Sequence, residues 1–171
     1  MPDQPRAVVV MGVSGAGKTT VGRLLASAVG WPFYDGDDFH SPDNVARMAA
    51  GIALTDEDRR PWLAALRRLL ADHLSAGQPL VLASSALKEE YRRQLSGGLK
   101  PVTYVYLKVD EATLTARLQL RADHYMPATL LGSQLAALEE PVGALVVDAA
   151  AAPDDIVRTI IPQLLLRDSQ E

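Results

Sequence analysis

The sequence predicts an α/β domain, a five-stranded parallel sheet with helices on both faces. Three observations carry that expectation. Short apolar, β-branched runs alternate with helical periodicities along all 171 residues. The first run leads into a glycine-rich loop, and that loop opens directly into a helix. No repeat, low-complexity tract or long linker divides the chain, so residues 1–171 read as one domain with a core over about 7–166.

The run Ala7-Val8-Val9-Val10-Met11 is a buried first strand. After Thr19, Val21, Leu24, Leu25, Ala28 and Val29 recur at helical spacing, and Gly30 stops that helix. Trp31 to Asp35 reads as a short second strand. Ser41 caps a helix with Pro42 at its first position. Thr55-Asp56-Glu57-Asp58 resembles a capping box, followed by a stripe of Leu63, Leu66, Leu70 and Leu74 that Gly77-Gln78-Pro79 ends. Leu80 to Ala83 is a third strand, and Glu89 to Leu95 a helix stopped at Gly97-Gly98. Val102 to Leu107 is a fourth strand, Asp110 caps a helix to about Leu120, and an irregular stretch near Asp123 to Pro127 precedes another helix. Ala144 to Asp148 is a fifth strand, and Pro153 to Leu166 a closing helix.

Composition narrows the function classes. A net charge of −4 gives no polybasic field for nucleic acid or an anionic membrane. The absence of cysteine removes disulfides, thiolate zinc sites and cysteine nucleophiles. No apolar run approaches the ~18 residues of a bilayer span. Met1-Pro2-Asp3-Gln4-Pro5 lacks the form of a secretory signal, so a cytoplasmic location is expected.

Gly12-Val13-Ser14-Gly15-Ala16-Gly17-Lys18-Thr19 fits the phosphate-loop pattern G-x-x-x-x-G-K-[ST] at every fixed position. The expected fold is therefore of the P-loop NTPase type. Glycines let backbone N–H groups turn toward phosphate oxygens, and the helix dipole adds to the attraction. The loop and the following Thr20 are expected to bind ATP, with Lys18 reaching the β- and γ-phosphates and the Thr19 hydroxyl holding Mg²⁺.

In parallel α/β sheets ligands sit beyond the carboxyl ends of the strands, which selects four further segments: 35–40, 84–88, 108–110 and 148–153. In Asp35-Gly36-Asp37-Asp38-Phe39-His40, one carboxylate is placed for Mg²⁺ (Asp35) and one for an acceptor hydroxyl (Asp37), with His40 as an acceptor contact. The third strand ends in Ser84-Ser85 without an acid, so the Asp35/Asp37 pair must supply the metal's carboxylate. Lys88 and Arg92 lie four apart and suit an anionic substrate; the alternative is a solvated pairing with Glu89 or Glu90. Arg117 and Arg121 are also four apart, and introduce an expected arginine-bearing lid over about 117–138 that contacts ATP.

At these residues the chain resembles the gluconate kinases, small P-loop enzymes that phosphorylate D-gluconate from ATP. The motifs are Met11 to Thr19; Asp35 to His40; Asn44 with a lysine-like Arg47 and Met48; Leu54 to Leu63; Ser85-Ala86-Leu87-Lys88 with Tyr91-Arg92; His124-Tyr125-Met126-Pro127; Ser133-Gln134; and Leu138-Glu139. Nearly the whole chain, from about Ala7 to Leu164, takes part. The resemblance implies Lys18, Asp37 and Arg121 as catalytic residues. It implies substrate contacts from Asp37, His40, Arg47, Lys88, Arg92, His124 and Gln134, with Lys88 serving either the carboxylate or the phosphoryl group. It also admits a homodimer. Departures are modest: Ser84 stands for a usual cysteine, Asp123 for a glycine, Gly132 for a larger residue, and Glu89 and Glu90 for frequent cations. Competing readings are another small-molecule kinase, such as a shikimate or nucleoside-monophosphate kinase, and an ATP-sensing module without turnover.

Overall fold

The structure is a computed structural model that describes residues 6–120 and 130–168. Strands β1 (Ala7–Met11), β2 (Phe33–Asp35), β3 (Leu80–Ala83), β4 (Val102–Lys108) and β5 (Leu145–Asp148) form one sheet in the order β2-β3-β1-β4-β5. Every pairing is parallel. Helices α1 (Lys18–Val29), α2 (Pro42–Ala49), α3 (Asp56–Ser75), α4 (Glu89–Ser96), α5 (Glu111–Gln119), α6 (Leu131–Ala137) and α7 (Pro153–Asp168) connect and flank the strands. The expected fold class is the one observed.

The pleat of β1 divides the core. Val8 and Val10 face one side, where they join Val21 and Leu25 of α1, Leu114 of α5 and Ile160 of α7. Ala7, Val9 and Met11 face the other, against Trp62, Leu63, Leu66 and Leu70 of α3 and Leu95 of α4. Both faces being covered explains why β1 and β3 are apolar at every position. At the β5 edge the burial alternates, and Val146 is exposed.

Local chemistry sets the element ends. The Thr55 hydroxyl accepts from Asp58 N at 3.1 Å while Asp58 Oδ2 accepts from Thr55 N at 3.0 Å, a reciprocal cap on α3. Ser41 and Asp110 cap α2 and α5 with their side chains. Strand β2 begins at Phe33 rather than Trp31, because Trp31 N still closes the end of α1 on Ala26 O at 2.9 Å and Pro32 has no N–H to give. A short 3-10 turn, Gly36–Phe39, follows β2, with Asp35 as its cap.

Leu66 is fully buried between α3 and the sheet. Leu66→Ala is expected to cost about 2–5 kcal/mol in urea unfolding. A loss well below 1 kcal/mol would show that α3 does not carry that face of the core.

Candidate active site

The sheet order puts β1 at the centre, so its loop opens in the middle of the carboxyl edge. Gly15 (φ 88°) and Gly17 (φ 94°) adopt left-handed conformations that side-chain-bearing residues avoid. Gly17 is the N-cap of α1, which makes the loop continuous with the positive end of that helix. Lys18 Nζ donates to Val13 O at 3.1 Å across the loop.

The Thr19 hydroxyl donates to Asp35 Oδ2 at 2.9 Å, and Asp37 N donates to Asp35 Oδ1 at 3.0 Å. One carboxylate thus joins the phosphate loop to the loop after β2. Trp62 Nε1 donates to Gly36 O at 2.7 Å, holding that second loop against α3. The His40 ring stacks on Trp62 with centroids 4.3 Å apart and planes inclined by 14°. Burial lowers the His40 pKa; the Asp37 carboxylate opposes this and the Arg59 guanidinium adds to it. Its Nδ1 is buried with no hydrogen-bond partner among the described residues.

One cleft gathers these groups. It is lined on the phosphate side by Ser14, Gly15, Gly17, Lys18 and Thr19, and on the other by Asp37, His40, Arg59 and Trp62. Ser85 and Leu87 from the loop after β3, and Leu130, Ser133 and Gln134 from around α6, complete it. Gln134 Oε1 accepts from Ser14 N at 2.7 Å, tying α6 to the phosphate loop.

Other expected residues lie elsewhere. Lys88 and Arg92 do not share a helix face, because Lys88 is the extended N-cap of α4 and lies outside the helical spacing. Lys88 pairs with Asp56 at 3.3 Å at the protein surface, which raises the Lys88 pKa. Arg92 is buried and does not line the cleft. Its guanidinium donates to Ala86 O (2.7 Å), Leu87 O (3.1 Å) and Glu139 O (2.9 Å), and pairs with Glu89 at 3.1 Å. Arg47 is likewise turned outward, to Asp58 at 3.1 Å. Arg117 reaches Gly15 O at 3.1 Å and Ala149 O at 2.6 Å, bracing the back of the phosphate loop. Thr20 is exposed on α1. Arg121 and His124 lie outside the described residues, as do the rest of residues 121–129 between α5 and α6.

Sequence reasoning gave no role to Arg59 and Trp62. Their signal was present in the Asp-Arg-x-Pro-Trp block, but nothing local to that block reveals that α3 faces the loop after β2. Among the described residues there is no cluster of three His, Cys, Asp or Glu side chains suited to a metal ion.

Comparison with known proteins places this geometry in a family. Residues 8–141 match a protein-family model described as an AAA domain. A gluconokinase of Gluconobacter oxydans is 51% identical over 138 residues, 81% of this chain and 78% of that protein. The crystal structure of a gluconokinase from Sinorhizobium meliloti superposes with a TM-score of 0.85 at 40% identity, covering 97% of this chain and 95% of that one. A sugar kinase from Janibacter gives a TM-score of 0.90 at 39% identity, over 96% and 97% of the two chains. With relatives this similar across most of its length, and with the phosphate loop, Asp37 and His40 lining one cleft, the chain belongs to the gluconokinase family.

Proposed function

We propose that the protein transfers the γ-phosphoryl group of ATP to the terminal hydroxyl of D-gluconate, giving 6-phosphogluconate, as a cytoplasmic enzyme. The observation that carries this reading is that Lys18, Thr19 and Asp37 line a single cleft. No helix among the described residues is long and apolar enough to cross a membrane. The family membership favours gluconate over shikimate or a nucleoside monophosphate as acceptor.

Each residue has a task that follows from its position. Lys18 leaves Val13 O for the β- and γ-phosphate oxygens and neutralises their charge. Asp37, fixed through its own N–H by Asp35, orients the acceptor hydroxyl and takes its proton. His40, kept neutral by burial, is suited to hydrogen-bond a sugar hydroxyl. Gln134 covers the phosphate side, and Lys88 stands at the surface near the loop after β3. For Arg121 and His124, outside the described residues, the role in a lid over about 117–138 comes from the sequence and the family resemblance alone. Because the transition state of phosphoryl transfer is loose, positioning and charge neutralisation outweigh the strength of the base.

The donor chemistry beside the phosphate loop fits Mg²⁺. A hydroxyl and a carboxylate converge at 2.9 Å, and this ion favours few protein oxygens with water and phosphate completing its shell. Thr19 and Asp35 would hold it. When bound, it neutralises charge across the β- and γ-phosphate oxygens.

ADP release from ATP is expected to depend on gluconate, and to vanish in Lys18→Ala while far-UV circular dichroism stays native. Gluconate-independent release alone would sink the kinase reading. Asp37→Asn should cut turnover by roughly 10²–10⁴, whereas Asp35→Asn should chiefly raise the Mg²⁺ concentration at half-maximal rate. The reverse pattern would exchange the two roles.

The lowered pKa of His40 has a pH signature. The unfolded chain takes up the proton near the usual value of 6.5, and the folded protein only at lower pH. The stability held above 6.5 is therefore lost progressively as pH falls toward the folded value. Urea midpoints followed across this range should fall less steeply for His40→Gln than for the native protein. Identical slopes would show that His40 is not shielded from water.

A further inference from the structure

The acceptor side of the cleft holds a half-buried cation that forms no ion pair among the described residues. Arg59 lies at the end of the first turn of α3 and lines the cleft with Asp37 and His40. Its Nη1 donates to Leu54 O at 2.5 Å and to the Tyr91 hydroxyl at 3.2 Å. The guanidinium carbon stands 5.2 Å from the centre of the Tyr91 ring. These contacts fix the plane of the group. Among the described residues its Nε and Nη2 make no hydrogen bond.

The acids beside Arg59 on its own helix are engaged elsewhere. Asp58 takes Arg47 and the cap of α3. Asp56 takes Lys88 and the Tyr91 hydroxyl, and those two partners hold its carboxyl below the usual range, the Tyr91 bond first. Both acids feel Arg59 electrostatically, yet neither pairs with it. Arg92 serves three carbonyls and Glu89. Among the described cations considered for the acceptor (Arg47, Arg59, Lys88 and Arg92), Arg59 alone combines a place in the cleft with an uncommitted edge.

We propose that Arg59 binds the carboxylate of the acceptor and thereby determines specificity for a sugar acid over a neutral polyol. A guanidinium anchored through one nitrogen presents its remaining donors as a fork, which matches the two oxygens of a carboxylate. A half-buried cation left without that partner disfavours a neutral ligand. With Arg59 holding one end of the acceptor, Asp37 lies on the same cleft wall to meet the hydroxyl at the other end. Lys88 is then a surface residue of the neighbouring loop and not the carboxylate anchor. This assignment rests on the gluconate reading above.

The test compares D-gluconate with D-gluconamide, which replaces the carboxylate by a neutral amide of similar size. Steady-state kcat/KM for both acceptors is measured in the native protein, Arg59→Gln and Arg59→Lys, with thermal melting as the control for folding. In the native protein gluconate should be preferred, and Arg59→Gln should reduce that preference roughly 10- to 100-fold, the loss of one charged hydrogen-bonded contact. The change should appear mainly in KM for gluconate, with KM for ATP little altered. Arg59→Lys should restore part of the preference, because it keeps the charge and loses the fork. An unchanged gluconate-to-gluconamide ratio in Arg59→Gln overturns the proposal, as does an equal fall on both acceptors. If the native protein phosphorylates neither compound, the gluconate reading fails and the assignment of Arg59 falls with it. If it phosphorylates gluconate and the ratio does not move, only the assignment of Arg59 is lost.

Discussion

The Asp35 carboxylate accepts from the Thr19 hydroxyl through one oxygen and from the backbone of Asp37 through the other, and the organisation of the cleft depends on that fork. Thr19 belongs to the helix that begins in the phosphate loop. Asp37 belongs to the turn after an edge strand, two positions away across the sheet. Parallel strands bring such segments to the same edge but leave their loops free to diverge. A single side chain bonded to both removes that freedom, and fixes the spacing between the donor and acceptor sides of the cleft.

The hydrophobic core supports the same fork from below. Trp62 is buried among the residues that cover β1 and β3, and its indole N–H reaches out of that layer to Gly36 O. Its ring also carries His40. One aromatic residue therefore converts core packing into the position of the loop after β2 and of the His40 ring in the cleft. Position is what phosphoryl transfer chiefly requires, since a loose transition state asks little covalent help from the protein.

How much of this could be read from the sequence depends on how local each feature is. The phosphate loop and the caps at Ser41, Thr55 and Asp110 were legible, because their bonds close within a few residues. The position of Asp35–His40 at the carboxyl end of the second strand is also legible, since strand ends follow from the apolar runs. Lys88 and Arg92 were not legible. Spacing by four implies a shared face only when both residues are helical, and Lys88 is an extended cap. Arg59 was hidden for a different reason. Its position in the cleft depends on how α3 packs beside the loop after β2, a contact between segments that no local pattern encodes.

Arg92 bears on how such a cleft can diversify. Ala86 holds a left-handed backbone (φ 43°), a conformation that costs an L-residue roughly 1–2 kcal/mol. The carbonyls of Ala86 and Leu87 are gripped by the buried Arg92 guanidinium, and Glu139 clasps the same loop from the end of α6, its N–H on Leu87 O at 2.8 Å and its carboxylate on Glu89 N at 2.9 Å. The contour of the wall that Ser85 and Leu87 present is thus decided by bonds made behind it. Shape and chemistry at this wall are separately heritable. Replacements at Ser85 or Leu87 can alter what the wall touches while its backbone stays in place, whereas replacements at Arg92 or Glu139 can reshape it without changing any group that lines the cleft.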